Sequence, residues 1–144
     1  MLDVVTLAKE SATFLAPFLP YLLKAGANFT EEAGKKLGEQ IGGGAWERVK
    51  ALWAKLQPKV EAKPATQEAV KDVAAEPQNE DAQAALRQQL KKLFEEDKTL
   101  ADNVLKLFED AKKEGVNVAA LGERAVAIGG NVSGSTIITG NAQR

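Results

Sequence analysis

Apolar residues recur three or four positions apart through the middle of this 144-residue chain, and that spacing commits most of it to helix. Trp46, Val49, Trp53, Leu56 and Val60 form one such stripe, with Glu47, Arg48, Lys50 and Lys55 at the other positions. Ala82, Leu86, Leu90, Leu93 and Phe94 form a second, and Leu100, Val104, Leu107, Phe108 and Ala111 a third. The last two lie close enough, around Asp97 and Lys98, to make an antiparallel helical hairpin. Gly115 follows Lys112 and Lys113, where a left-handed residue closes a helix whose negative end favours lysine.

The N-terminal part is the most apolar. From Ser11 to Leu23 the run SATFLAPFLPYLL carries no charge, and Phe14, Leu15, Phe18, Leu19, Leu22 and Leu23 are its candidate membrane-contacting residues. A spanning helix needs ~20 apolar residues, so the run is too short to cross a bilayer as it stands. Pro17 and Pro20 each remove an amide donor and predict a kink or break near Ala16. A signal peptide cleaved near residues 25–27 is the competing reading, against which stand the early Asp3 and the lack of a basic start.

A helix is expected next, capped by Asn28 with Glu31 and Glu32 in its first turn and ending near Ile41. Gly34, Gly38 and Gly42 recur every four residues along one face, where another backbone can come close. Two uses fit that face: packing against the Phe14–Leu23 segment within a bundle, or association in lipid after a rearrangement. Gly42, Gly43 and Gly44 then break the helix before Ala45. Pro58, Pro64 and Pro77 punctuate a stretch poor in aromatics, which reads as a linker holding at most a short helix from Thr66 to Ala75 with Val70 and Val73 inward.

Charge and composition exclude several classes of function. Lysine and arginine total 19 against 20 aspartates and glutamates, so no overall field draws the chain to nucleic acid. Without cysteine or histidine it has no thiolate nucleophile, no disulfide, no common zinc site and no usual general base near neutral pH. The acid and lysine runs read as solvated helix faces, and neither an activated nucleophile nor an acidic metal cluster is visible, so the sequence points to no enzyme and no cofactor.

The end of the chain departs from all of this. Residues 116–144 hold two basic side chains and one acidic, and 124–141 read RAVAIGGNVSGSTIITGN, rich in glycine and β-branched residues. In AVAIGG, Val126 and Ile128 share one side of a strand, STIIT offers a second strand through Ile137 and Ile138, and GGNVSG between them forms a bend. Two short strands alone are marginal in water, so something must cover them. Stacking identical copies pairs every amide, puts Asn131 and Asn141 in ladders, and lets Gly129, Gly130 and Gly134 sit close beside Val132 and its neighbours. A small intermolecular β-solenoid does the same with few subunits. Docking on the helices and a flexible end are the alternatives. A phosphate-loop reading of GNVSGST fails for want of its lysine and of a following helix.

The run NEDAQAALRQQLKKLFEEDKTLADNVLKLFEDA, followed after a gap by GERAVAIGGNVSGSTIITGN, resembles small bacterial proteins and protein tails of conflict and programmed-death signalling. In these a helical part precedes a glycine- and β-branched-rich self-assembly motif. Val126-Ala127-Ile128-Gly129 also resembles the core tetrad of RHIM-type amyloid motifs, with Ala127 in the place of the glutamine, so no glutamine ladder forms there. The N-terminal part is loosely similar to HeLo-type and Bell-type helical domains. The resemblance implies a homo-oligomer, a partner signalling protein bearing a similar motif, a cytoplasmic location, and contact with membrane lipid on activation.

The expected architecture is therefore mainly α: a helical bundle plus a helical hairpin, with a short C-terminal β-forming tail that pairs between subunits. The expected segments are an apolar helical domain at 1–57, a linker at 58–78, the hairpin at 79–115 and the assembly motif at 116–144.

Overall fold

A computed structural model describes residues 3–24 and 26–124. The described chain is helical throughout: α1 (Val4–Leu15), α2 (Leu19–Leu22), α3 (Glu31–Ile41), α4 (Ala45–Glu61), α5 (Pro64–Ala75), α6 (Glu80–Glu96), α7 (Lys98–Lys113) and α8 (118–124). The expectation of a mainly helical bundle holds. The residues from Val126 to Asn141, expected to form strands, lie outside the described residues, whereas 118–124, which the sequence assigned to the same segment, are helical.

Local chemistry sets the helix ends. Asp3 opens α1 by accepting the Thr6 amide at 2.7 Å, and α1 stops at Leu15, one residue before the break expected at Ala16. Pro20 sits in the first turn of α2, where its missing amide costs no helix bond. The cap of α3 is Thr30, which has an extended backbone and accepts the Ala33 amide at 3.1 Å, and not Asn28. Glu31 and Glu32 therefore occupy the first two helical positions, and no capping box forms. Asn79 and Asp97 cap α6 and α7 in the same way.

The stretch read as a linker is part of the bundle. Helix α4 continues through Pro58 to Glu61 because Pro58 and Ala54, whose carbonyl loses its partner, both lie on the exposed face. Pro64 then starts α5, and Val70 and Val73 are buried as their spacing predicts. One hydrophobic core runs from Leu7 to Leu121, continuous across 57/58 and 78/79.

Packing also revises the hairpin. Asp97 alone joins α6 to α7, but α6 lies chiefly against α1 and α5, with Leu86 and Leu90 fully buried and Leu93 nearly so. On α7 the inward set is Leu100, Val104, Leu105, Phe108 and Ala111, so Leu105 takes the buried place expected of Leu107, which is only half-buried. Both tryptophans are core residues, with Trp46 6.0 Å from the Phe18 ring.

Candidate functional site at the root of the C-terminal segment

The described chain ends in α8, so the way α8 is held sets where the residues after Arg124 leave the bundle. Helix α7 closes in two steps: the Gly115 amide bonds the Lys112 carbonyl and the Val116 amide bonds the Ala111 carbonyl, both at 2.9 Å. Gly115 has φ +83°, the left-handed conformation this closure requires and glycine adopts freely. Asn117 then caps α8, its side-chain oxygen accepting the Ala119 amide at 2.9 Å and the Ala120 amide at 3.3 Å.

Four contacts seat α8 on the bundle. Val118 and Leu121 are buried in the common core. Gly122 lies against α1 so closely that a Cβ there would stand 3.1 Å from Thr13 Cγ2 and 3.2 Å from the Phe14 amide nitrogen. Leu121 also covers Gly43, where a Cβ would meet Leu121 Cδ2 at 3.1 Å. Arg124 donates from Nη1 to the Ile41 carbonyl at 2.8 Å, placing a cation at the negative end of α3.

Arg48 ties the same corner from the other side. Its Nε donates to the Gly43 carbonyl at 2.7 Å and its Nη2 to the Glu114 carboxylate at 2.6 Å, linking α4, the triple-glycine turn and the end of α7. Beside it is a mostly apolar cavity of about 320 Å³, lined by Phe14, Gly44, Ala51, Leu107, Phe108 and Val118 with Glu47, Arg48 and Asp110 at its edge. Near the neighbouring α1–α7 cleft, burial pushes the Glu10 carboxyl above its ordinary value against the pull of Lys9 and Lys112.

The residues singled out in the sequence divide into three groups. Phe14, Leu15, Phe18 and Leu19 are buried in the core, and Leu22 and Leu23 pack half-buried against it. Gly34 and Gly38 do serve close packing, chiefly against α4: a Cβ at Gly34 would stand 2.5 Å from the Trp46 ring and 2.9 Å from Tyr21 Cβ, and one at Gly38 2.6 Å from Trp46 Cβ. Gly42 has another role, closing α3 with φ +86° and open space where its side chain would be. Val126, Ile128, Gly129, Gly130, Asn131, Val132, Gly134, Ile137, Ile138 and Asn141 lie outside the described residues.

Sequence reasoning missed Asn117, Leu121, Gly122 and Arg124 as the root. The signal is present in NVAALGER: a capping residue, two apolar residues three apart, a glycine, and then the cation. No protein-family model matches the chain, and comparisons with curated proteins and with solved structures find no match.

Proposed function

We propose that this protein is a self-assembling signalling adaptor or effector of bacterial defence or regulated cell death, in which the C-terminal segment pairs between copies and thereby clusters the helical bundle. The observation that carries the reading is the contrast at Arg124. Up to that residue the chain is a packed bundle, and beyond it comes a nearly uncharged segment with Val126, Ile128, Val132, Ile137 and Ile138 as its apolar content. Such a segment gains most by pairing with copies of itself, which satisfies its amides and buries its β-branched side chains. A signalling protein with a similar motif is the natural template for that pairing.

Clustering acts on the apolar N-terminal segment. No helix among the described residues is long and apolar enough to cross a membrane. Phe14, Leu15, Phe18 and Leu19 reach lipid only by leaving the core. Freeing a buried side chain of this kind costs ~1.5–3 kcal/mol, so four cost ~6–12 kcal/mol, comparable to the ~5–15 kcal/mol that stabilises a whole domain. Release therefore needs a driving partner, and lipid together with assembly supplies one.

The same burial favours a second reading, a scaffold in which assembled tails hold closed bundles in a ring or filament. Ile128→Asp with Ile137→Asp tests both. The double variant is expected to keep its far-UV helicity and lose assembly in light scattering; an unchanged particle size sinks the proposal. Dye release from anionic liposomes then separates the readings, since an effector leaks dye on assembly and a scaffold does not.

A further inference from the structure

We infer that the cavity between α4 and α7 is a binding site for a small cationic amphiphile, an aliphatic body carrying an ammonium head. The inference stands apart from the assembly reading above and holds whether or not the chain assembles.

The opening is written into α4. The large apolar residues of that helix, Trp46, Val49, Leu52, Trp53 and Leu56, are buried in the core. Toward the cavity, however, it and its cap present Gly44, Arg48 and Ala51, four and then three residues apart and so on one face. Helix α7 brings Leu107 and Phe108 to the opposite side, and Phe14 and Val118, both buried, complete the apolar wall. Glycine and alanine are too small to fill the gap, so Leu107 stays half-buried beside it. At about 320 Å³ the cavity is roughly twice the ~150 Å³ that admits benzene, which gives room for a body of about eight to ten carbons. A guest of that kind completes the burial of Leu107 and restores the close packing found elsewhere in the core.

Charge at the edge selects the head group. Arg48 is the cation there and is already committed, with Nε on the Gly43 carbonyl at 2.7 Å and Nη2 on the Glu114 carboxylate at 2.6 Å. Glu47 and Asp110 are exposed. Glu47 reaches only Lys50, at 3.6 Å, and that amine is equally close to Glu31. Asp110 has no ion-pair partner among the described residues. With Arg48 offset by Glu114, the edge keeps Glu47 and Asp110 in excess, which draws an ammonium in and repels a carboxylate. An anionic amphiphile has to displace Glu114 before Arg48 can receive it.

Isothermal titration calorimetry on the full chain, with octylammonium and octanoate kept well below micelle-forming concentrations, tests the inference. Octylammonium is expected to bind saturably and about tenfold tighter than octanoate. Glu47→Gln with Asp110→Asn, both exposed, should bring the two within about threefold of each other. Glu114→Gln, which frees Arg48, should narrow the gap by favouring octanoate. Ala51→Phe fills the cavity and should abolish binding; if circular dichroism shows that it unfolds the chain, Ala51→Leu should still weaken octylammonium by about tenfold. Octanoate binding as tightly as octylammonium, or a preference unaltered in the double variant, overturns the cationic assignment. No saturable binding to the full chain, or undiminished binding in the filled variants, overturns the site. Binding seen only in a chain ending at Arg124 overturns it too, since the residues that follow are then the occupant.

Discussion

Two seams in this bundle are built on opposite plans. Helix α6 meets α1 and α5 through leucines, with Leu86 and Leu90 fully buried. Helices α3 and α8 meet their neighbours through glycine: Gly34 and Gly38 on Trp46, and Gly122 on Thr13 and Phe14. A leucine seam holds by the apolar area it removes from water, so it weakens when side chains are shortened. A glycine seam holds by letting a neighbour's side chain or backbone sit against the helix backbone, so it weakens when anything is added. The first is set by side-chain size and the second by fit, although α3 also covers Trp46 and α8 also buries Val118 and Leu121.

The largest expected effect is on the leucine side. Leu90→Ala should destabilise the bundle by about 2–5 kcal/mol in urea denaturation, and a loss below ~1 kcal/mol would break the contrast. Next comes Gly38→Val, whose side chain would intrude on the Trp46 backbone nitrogen, 2.8 Å from the position of its Cβ. Forcing atoms into a filled space costs about 1–3 kcal/mol, visible as a lowered Tm, and a neutral outcome would show that α3 can shift away.

These seams differ in how far the sequence discloses them. The leucine stripes are legible because burial imposes a helical period on large side chains, and the two tryptophans follow the same rule. The glycine spacing on α3 announces a close approach but not its partner: Trp46 rather than the Phe14–Leu23 segment supplies most of the contact. Pro58 shows the opposite failure: the stripe running on to Val60 already leaves Pro58 off the inward face, yet the proline reads as the start of a linker, whereas α4 carries it to Glu61. Helix α8 was hidden for a further reason. Its seven residues carry only two large apolar side chains, and the tertiary contacts of Gly122 and Arg124 decide its place.

Smaller effects sharpen the account of α3. Thr30→Ala should cost about 0.5–2 kcal/mol by removing the cap, whereas Asn28→Ala should be silent; the reverse order would restore the cap to Asn28. The smallest expected effect is a pH dependence at the α6–α7 joint. The Leu100 amide, followed by Lys59, holds the Asp97 carboxyl below its ordinary 3.8. Its contribution is present above that unfolded value and is lost as pH falls through the lower folded one. Wild type should therefore lose slightly more stability than Asp97→Asn on acidification below about pH 4 in parallel denaturation curves, and superimposable pH profiles would remove Asp97 from the account.

The most direct test of the central claim is negative-stain electron microscopy, with light scattering, on the full chain beside a chain ending at Arg124, which keeps α8. The account predicts filaments or discrete multi-subunit particles from the full chain and monomers from the shortened one. Monomers from both, or equal particles from both, would contradict it.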